Sequence, residues 1–576
     1  MKNRNEQSSC FIMGLGPLCI RCAEYLLDNR IMEIRGLISA DDAVIRFGKS
    51  RGVDTLHIQN KFNYSVSKDA IEAFLTKSNF DYFLSIINAM PLPEAIVQLP
   101  RKLAINFHDS ELPKYAGIDA TSWAIMRGES QHAVTWHLMV RGIDEGDIVK
   151  QVYVPIERSE TAFTLNEKCL EAGFTSFKEL AADIQHDAID RRRQPVETRS
   201  YYSRSKPHLP EMAIWSHGVV SWQQSAEEIE ALTRALDYGP SRNALGTAKM
   251  FIGGDFYILP SVSICETKSE LEPGTVVRSD DHALVVSTRS RDVLVNRALT
   301  IDGRPISIAD LAARHHIASG TKLDAVSPDI LRQIKELDKA IMWKEAYWVN
   351  AIKDYVAMPV SDVGARLRAP ATTGNPPSAT ARVCVRESTR EGLGKLIEDN
   401  HLDLSTLLCA IFSSFVTMSQ SNVVPIWYSD EEYRRDVIGL TKLVSPFALC
   451  RMKVDEAWSV LEHYSQTEKA LSGAKRRRHF LFDIAYRYPQ LRDGRSFDQI
   501  RQCAFVFHGG SDRRDDWSMS KDAFELSLEV VGDAKDFSIC VNTARAGSES
   551  TQWLAQEFSA HIDAVVLNSE TPLCSA

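Results

Sequence analysis

Short apolar runs alternate with amphipathic stretches over the first 190 residues. The apolar runs have the length and composition of buried strands, and they fall at 11–13, 34–39, 55–58, 82–87 and 103–106. The segments between them show helical periodicity and include 42–51 and 67–77. This alternation predicts an α/β fold with a doubly wound, mostly parallel sheet, whose ligands bind beyond the carboxyl ends of the strands. Asn106 and His108 lie at such an end.

The pattern continues with a strand at 134–139 and a helix whose apolar face runs from Leu165 to Ile184. Residues 190–210 are polar, basic and proline-bearing, as expected of a linker. We therefore predict three domains, at 1–190, 205–325 and 328–576.

Composition narrows the class of protein. The chain has 576 residues, 44% of them hydrophobic, which suffices for a core in each of several domains. A net charge of −9 disfavours a nucleic-acid partner, despite short basic runs at 191–193 and 475–478. The sequence contains no run of about 18 apolar residues, so it predicts no membrane span.

Cysteine usage and the first residues indicate a cytoplasmic protein. The eleven cysteines are scattered through apolar segments, and no secretory leader pattern is present at the start. Cys19 and Cys22 form a C-x-x-C within the first predicted helix, but no second pair accompanies them. We expect them to be packing residues and expect no metal site.

Two segments carry candidate chemistry. Residues 105–129 are I-N-F-H-D-S-E-L-P-K-Y-A-G-I-D-A-T-S-W-A-I-M-R-G-E, and residues 134–148 are V-T-W-H-L-M-V-R-G-I-D-E-G-D-I. Together they resemble the catalytic core of the folate-dependent formyltransferases. In that family an N-x-H pair ends a strand, a Pro/Gly loop follows, and an Asp arrives on a later D-x-G-D turn. The resemblance implies that Asn106, His108 and Asp144 are the catalytic residues.

These residue types suit formyl transfer. In the reaction implied by the resemblance, 10-formyltetrahydrofolate is the co-substrate, and an amine attacks its formyl carbon. The tetrahedral adduct carries a negative oxygen and a positive nitrogen. Neutral His108 can take the amine proton, and the Asn106 amide can donate to the oxygen. Asp144 would orient the imidazole and bias its pKa.

The resemblance also assigns binding residues. The family's pterin-receiving loop corresponds to 86–93, so Met90, Leu92 and Ile143 are folate-pocket candidates. The third glycine of a dinucleotide motif is absent after Gly14-x-Gly16, and we interpret this turn as facing the acceptor.

Ser110 is a further candidate for substrate binding, together with Gly14 and His137. Many of these enzymes carry a histidine at the position of His137, which we expect to support the catalytic pair. One departure is Glu111, which replaces the first Leu of the family's S-L-L-P. Its carboxylate could meet an amine substrate or face water, and we favour water.

The second predicted domain resembles the small C-terminal barrel of the methionyl-tRNA formyltransferase group. The matching segments are I-W-S-H at 214–217, a helix at 225–240 and P-G-T-V-V at 273–277. The resemblance implies an OB-like β-barrel for 205–325.

Residues 328–576 resemble the second lobe of the condensation domains of nonribosomal peptide synthetases. The resemblance is carried by E-A-Y-W-V-N-A-I from Glu345, by L-D-L-S-T-L-L-C-A-I-F-S-S-F from Leu402 and by the strands after Phe524. An α/β condensation-like lobe is expected. The condensation motif H-H-x-x-x-D-G is absent, because His315-His316 is followed by no aspartate at the required place. Such a lobe would serve binding or dimerisation, and a homodimer is one expectation.

The sequence thus predicts an N-formyltransferase of specialised-metabolite biosynthesis. Its acceptor would be a primary amine, either a small molecule or an aminoacyl group on a carrier protein. Three alternatives remain open. They are formylation of a nucleotide-linked amino sugar, hydrolysis of 10-formyltetrahydrofolate, and a non-catalytic docking scaffold of an assembly line.

Overall fold

The computed structural model describes residues 7–59, 63–203, 218–341, 344–356, 378–416, 422–455, 457–492, 503–509, 524–544 and 546–567. The chain forms two compact units. Unit 1 comprises Met1–Ala248, Pro260–Pro273 and Val285–Val295, and unit 2 comprises Lys249–Leu259, Gly274–Leu284 and Asn296–Ala576. No helix in the described ranges is both long and apolar enough to cross a bilayer.

Unit 1 is built on a seven-stranded sheet. Its strands are β1 (Ser9–Gly14), β2 (Glu33–Ser39), β3 (Thr55–His57), β4 (Tyr82–Ile86), β5 (Leu103–His108), β7 (Gln131–Leu138) and β8 (Ile148–Pro155). Their spatial order is β3-β2-β1-β4-β5-β7-β8. Strands β1 to β5 are parallel, and β7 and β8 form an antiparallel hairpin beside β5. The mostly parallel α/β sheet predicted from the sequence is confirmed.

Helices connect these strands. They are α1 (Gly16–Asp28), α2 (Asp42–Ser50), α3 (Tyr64–Leu75), α4 (Glu94–Val97), α5 (Ala120–Met126), α6 (Ala162–Gln185) and α7 (Ala226–Ala235). Side chains cap several N-termini, since Asp41 accepts from the Ala43 N–H and Thr161 forms a capping box with Thr164. A short strand β6 (Ala116–Gly117) pairs in parallel with β9 (Tyr201–Tyr202), within the segment expected to be a linker.

Strand β5 separates an apolar face from a polar face, because successive side chains point to opposite sides of a sheet. Phe107 is buried, and its ring lies 5.0 Å from that of Trp136 on β7. Gly173 of α6 lets the helix approach this strand, since a Cβ there would lie 2.6 Å from the Phe107 ring. Asn106 and His108 therefore share the other face.

The OB-like barrel expected for 205–325 is not confirmed, since the described part of that segment contains no closed barrel. One sheet has the order β10-β11-β16-β17, with β10 (Lys249–Ile252), β11 (Asp255–Ile258), β16 (Ala298–Thr300) and β17 (Pro305–Ile306). A separate sheet uses β12 (Ser263–Ile264), β13 (Val276–Ser279), β14 (Leu284–Val286) and β15 (Val293–Val295). The I-W-S-H segment at 214–217 lies outside the described residues.

Unit 2 also contains a six-stranded mixed sheet. Its strands are β18 (Ala379–Val383), β19 (Val423–Ser429), β20 (Ala448–Lys453), β21 (Cys503–His508), β22 (Leu526–Gly532) and β23 (Phe537–Thr543), in the order β18-β23-β22-β21-β19-β20. The helices of this unit are α8 (Ile308–Arg314), α9 (Pro328–Ile341), α10 (Glu345–Val356), α11 (Glu387–Asn400), α12 (Leu404–Val416), α13 (Glu431–Arg435), α14 (Val460–Lys475), α15 (Ile484–Arg487) and α16 (Gly547–Leu567). Helix α12 is buried over almost its whole length and contributes Phe412 to the core. The likeness to a condensation lobe stays a prediction.

Buried charges join β10 to the helices of unit 2. The Lys249 Nζ lies 2.8 Å from an Asp483 carboxylate oxygen, and the Arg487 Nε donates to the other oxygen at 2.8 Å. Arg487 also pairs with Glu345, which accepts from the Tyr488 hydroxyl. Although burial opposes ionisation, the charges of Arg487 and Lys249 hold the pKa of Asp483 well below its usual value. Each charge in this group is therefore stable only beside its partners.

Lys249→Met should destabilise unit 2 by about 3–5 kcal/mol, because it leaves Asp483 buried without one of its two cations. Shifts of the urea unfolding midpoint, followed by tryptophan fluorescence, measure this loss. The matched control is Arg451→Met, which removes the exposed Arg451–Asp354 ion pair at 2.9 Å and should cost less than about 1 kcal/mol. Equal effects of the two substitutions would contradict the assignment.

Candidate active site

The site begins with two side chains that lie opposite each other on neighbouring strands. Asn106 of β5 pairs in register with His137 of β7, and the Asn106 Nδ2 lies 3.1 Å from the His137 Nε2. The His137 Nδ1 lies 2.9 Å from the Leu138 carbonyl, which can only accept, so Nδ1 carries a proton. In neutral His137 the Nε2 is then an acceptor for the Asn106 amide. His137 thereby fixes which way the amide of Asn106 points.

The two ring nitrogens of His108, a buried side chain, have different neighbours. Its Nε2 lies 3.2 Å from the Tyr115 carbonyl oxygen, to which it must donate. The same nitrogen lies 3.6 Å from the Asp144 Oδ2. The neutral ring consequently has its lone pair on Nδ1, which lies 3.6 Å from the Asp109 Oδ1. In this tautomer the Nδ1 is the ring atom that is able to accept a proton.

Asp144 is a buried carboxylate between two imidazoles. Its Oδ1 lies 3.5 Å from the His137 Nε2, and its Oδ2 accepts from the Gly117 N–H at 2.9 Å. Burial alone would raise the pKa of Asp144, but the neighbouring His108 and His137 rings and the Gly117 hydrogen bond hold it well below the usual value. The residue has a φ of 54°, a left-handed conformation that Asp tolerates better than most residues. Asp144 is therefore an anion that both histidines face.

Side chains from the segment expected to be a linker hold the Asp144 turn in place. The Gln194 Nε2 donates to the Asp144 carbonyl at 3.0 Å and to the Gly146 carbonyl at 2.6 Å. The Arg199 guanidinium donates to the Ile143 carbonyl at 2.9 Å. Sequence reasoning missed both residues, which lie 50 or more positions after the turn and belong to no motif.

The same segment braces the loop after β5. The Ser200 hydroxyl accepts from the Tyr115 N–H at 2.8 Å, and the Tyr202 ring stacks on those of Tyr115 and Trp123. The only signal in the sequence was the presence of two adjacent tyrosines, Tyr201 and Tyr202, in an otherwise polar stretch.

The folate-pocket candidates fall into two groups. Met90 is buried and Leu92 is partly buried, and both belong to an apolar cluster with Phe11 and Met13 of β1. Ile143 is 47% exposed on the Asp144 turn. The structure therefore brings Met90 and Leu92 together, while Ile143 presents an exposed apolar side chain next to Asp144.

The loop that carries Met90 starts with a strained residue. Ile87 has a φ of 53°, a conformation rarely adopted by a β-branched side chain. Asn88 then closes a tight turn through hydrogen bonds to the Met90 N–H and carbonyl. Strain of this kind costs roughly 1–3 kcal/mol and concentrates at functional sites.

The remaining candidates are constrained by packing. A Cβ on Gly14 would lie 2.2 Å from the Ile86 carbonyl oxygen, so the end of β1 needs a glycine. Ser110 is fully buried, and its hydroxyl donates to the Lys114 carbonyl at 3.2 Å. Glu111 lies 3.5 Å from the Lys114 ammonium, so its charge has a partner in the same loop.

The cysteines of α1 are interior residues. Cys19 and Cys22 are buried, and burial raises the pKa of the Cys19 thiol to about 12. Among the described residues, no cluster of three or more His, Cys, Asp or Glu side chains could hold a metal ion.

Comparison with known proteins adds family information. Residues 39–179 match the family model described as formyl transferase, and residues 216–316 match that of the formyl transferase C-terminal domain. The methionyl-tRNA formyltransferase of Clostridioides difficile (strain 630) is 26% identical over 318 residues, which cover 54% of this chain and 98% of the relative. That of Methylacidiphilum infernorum (isolate V4) is 29% identical over 234 residues, which cover 40% of this chain and 69% of the relative.

Two solved structures illustrate the structural comparison. WlaRD, a sugar 3N-formyl transferase in the presence of dTDP and 5-N-formyl-THF, has a TM-score of 0.40 at 17% identity. The alignment covers 51% of this chain and 98% of WlaRD. HypX from Aquifex aeolicus, in complex with tetrahydrofolic acid, has a TM-score of 0.37 at 17% identity, covering 56% of this chain and 50% of HypX.

Asp144→Asn should lower the free energy of unfolding at pH 7, and this difference should shrink as the pH falls below about 4. The pKa of Asp144 lies below the value of about 3.9 for an unfolded Asp, so the stabilisation is present above that value and is lost as the pH falls through the folded-state pKa. Urea unfolding at a series of pH values measures it. Glu145→Gln, at an exposed neighbouring position, is the control and should change little. A deficit that stays constant with pH would contradict the ionised state of Asp144.

Proposed function

We propose that this chain, a formyl-transferring enzyme whose segments 39–179 and 216–316 are formyltransferase domains, uses 10-formyltetrahydrofolate to formylate a primary amine. The observation that carries the proposal is the grouping of Asn106, His108 and Asp144 on one face of the sheet. These side chains supply a donor for a developing oxyanion, a proton acceptor, and an anion that fixes the acceptor's ring.

Each residue has a distinct role in this proposal. The donor would present a formyl carbon bonded to nitrogen. The Nδ1 of His108 takes a proton from the attacking amine, while its Nε2 stays anchored to the Tyr115 carbonyl. One N–H of the Asn106 amide is held by His137, which leaves the second N–H to donate to the oxygen of the adduct. Asp144 stabilises the imidazolium that His108 becomes. His137 is thus a positioning residue.

The donor pocket is proposed around the loop that follows β4. Met90 and Leu92 supply apolar surface beneath it, and the strained backbone at Ile87 keeps the loop in one conformation. Backbone N–H and carbonyl groups of such a loop can pair with the edge of a flat heterocycle while apolar side chains cover its face. Ile143 would cover the ligand from the Asp144 turn.

The acceptor is proposed to be an amine of a specialised-metabolite precursor, either free or held on a carrier protein. The resemblance of 328–576 to condensation domains supports a connection with peptide assembly. Deleting this lobe is a poor test, because a cut near Asp324 would remove the carboxylate that Lys249 of β10 is buried against. Assays with the full chain avoid that damage.

His108→Ala should lower turnover at least ~100-fold, the lower range for loss of a general base, while the affinity for 10-formyltetrahydrofolate changes little. Steady-state rates and an equilibrium titration of the folate measure the two quantities. His57→Ala, at an exposed histidine of unit 1, is the control and should keep full turnover. Near-normal turnover of His108→Ala would refute its role.

The proposed function itself is tested by mass spectrometry of acceptors incubated with enzyme and 10-formyltetrahydrofolate. The panel contains free amines, nucleotide-linked amino sugars, charged transfer RNA and aminoacylated carrier proteins. The expected result is one added formyl group on an amine of one class. Release of formate with no formylated amine would instead establish a hydrolase, and neither product would indicate a scaffold.

A further inference from the structure

Asp109 is a carboxylate beside the Nδ1 of His108. Its Oδ1 lies 3.6 Å from the His108 Nδ1, and its side chain is 37% exposed. Among the described residues no lysine or arginine lies within ion-pair distance of it. Glu111, two residues later, differs in both respects, since it is 15% exposed and faces the Lys114 ammonium. The same loop therefore holds one neutralised carboxylate and one that has only an imidazole beside it.

The backbone under Asp109 is held firmly. Its carbonyl accepts from the Nε2 of His132 at 2.8 Å, and His132 is fully buried. The adjacent Ser110 carbonyl accepts from the Thr135 hydroxyl at 2.6 Å. The carboxylate is thus presented at a fixed place beside the catalytic ring.

Two acceptors face each other at this place. The Nε2 proton of neutral His108 is committed to the Tyr115 carbonyl, so the Nδ1 carries a lone pair. The Asp109 carboxylate is also an acceptor, and nothing within the pair supplies a proton. A nitrogen that carries two or more protons can donate to both atoms, at about 2.9 Å from each. A primary ammonium group provides those protons together with the charge that complements the carboxylate.

We propose that Asp109 is the acceptor-binding residue, which receives the substrate as its ammonium form and delivers it to His108. The inference rests on the proposed formyl transfer and deepens it. It specifies the acceptor as a basic aliphatic amine, protonated at neutral pH, in preference to an aromatic amine or any amine that is neutral there.

The proton transfers balance as follows. The bound ammonium gives one proton to the His108 Nδ1 and becomes the neutral amine. Its lone pair then forms a bond to the formyl carbon, and the carbonyl π electrons move to the oxygen. The nitrogen, now positive, passes its second proton to water. As the carbonyl re-forms, the bond from the formyl carbon to the donor nitrogen breaks, and that nitrogen takes the proton held by His108. The products are the formamide, tetrahydrofolate and one proton.

The test compares wild type with Asp109→Asn on two acceptors. The first is the amine that gives the highest turnover in the panel above. The second is hydroxylamine, a small primary amine that is neutral at pH 7.5. Asp109→Asn keeps the shape of the side chain and removes its charge. Its KM for the basic amine should rise at least ~10-fold, as expected for a lost hydrogen bond to a charged group, while its affinity for the folate is unchanged. Its rate with hydroxylamine should fall much less.

Glu111→Gln is the matched control, because it removes a carboxylate of the same loop that already has a cation beside it. It should leave both KM values near wild type. Circular dichroism and the folate titration verify that the variants are folded, and Asp109→Ser provides a second variant of smaller size.

The outcomes separate the two proposals. If wild type formylates no amine, the proposed function and the role of Asp109 both fall. If wild type formylates amines but Asp109→Asn keeps the wild-type KM for the basic acceptor, the role of Asp109 alone is refuted. An equal loss of activity with both acceptors would also refute it, since equal losses indicate that the substitution damaged His108 and that Asp109 does not recognise the charge of the acceptor.

Discussion

The buried negative charge of Asp144 is the constraint around which the first unit is organised. A carboxylate out of water is costly unless cations and hydrogen-bond donors surround it. Here the Gly117 N–H donates to it and the protonated Nε2 of His108 lies beside it, while Gln194 and Arg199 hold the backbone of the turn. Satisfying this one charge therefore fixes the β5 loop, the β7–β8 turn and the segment after α6 with respect to one another.

Much of the first unit could be predicted because its elements are long and strictly periodic. The strands and helices that were predicted up to residue 185 lie within a few residues of their observed positions, since buried parallel strands and amphipathic helices leave clear patterns. Asn106 and His108 were singled out through the resemblance of their loop to a known family, and their spacing of two adds that both lie on one face of β5. Asp144 was accessible only through the resemblance of its turn to a known family, because no periodicity links it to β5.

Prediction from the sequence was not possible where the structure depends on contacts between distant segments. Short alternating strands such as β12 and β15 carry no information on whether a sheet closes, so the barrel could not be derived from their pattern. Gln194 and Arg199 act through side-chain donors to backbone carbonyls, a contact that any long polar side chain could make. The proposed role of Asp109 could not be predicted from the sequence either, because it depends on which nitrogen of His108 faces the Tyr115 carbonyl. Side-chain protonation and direction are properties of the folded site alone.

Gly173, on the other side of β5 from the site, affects the site because it has no side chain. Helix α6 touches the back of β5 through the Phe107 ring, with no room for even one methyl group between them. Any bulkier residue there would push the ring, and the strand would carry Asn106 and His108 with it. In a screen of random variants, this position would be scored together with the proposed catalytic residues, although it lies on the opposite side of the sheet. Substitutions that lower activity are therefore expected at residues that hold strand β5 in place as well as at residues that contact the substrate.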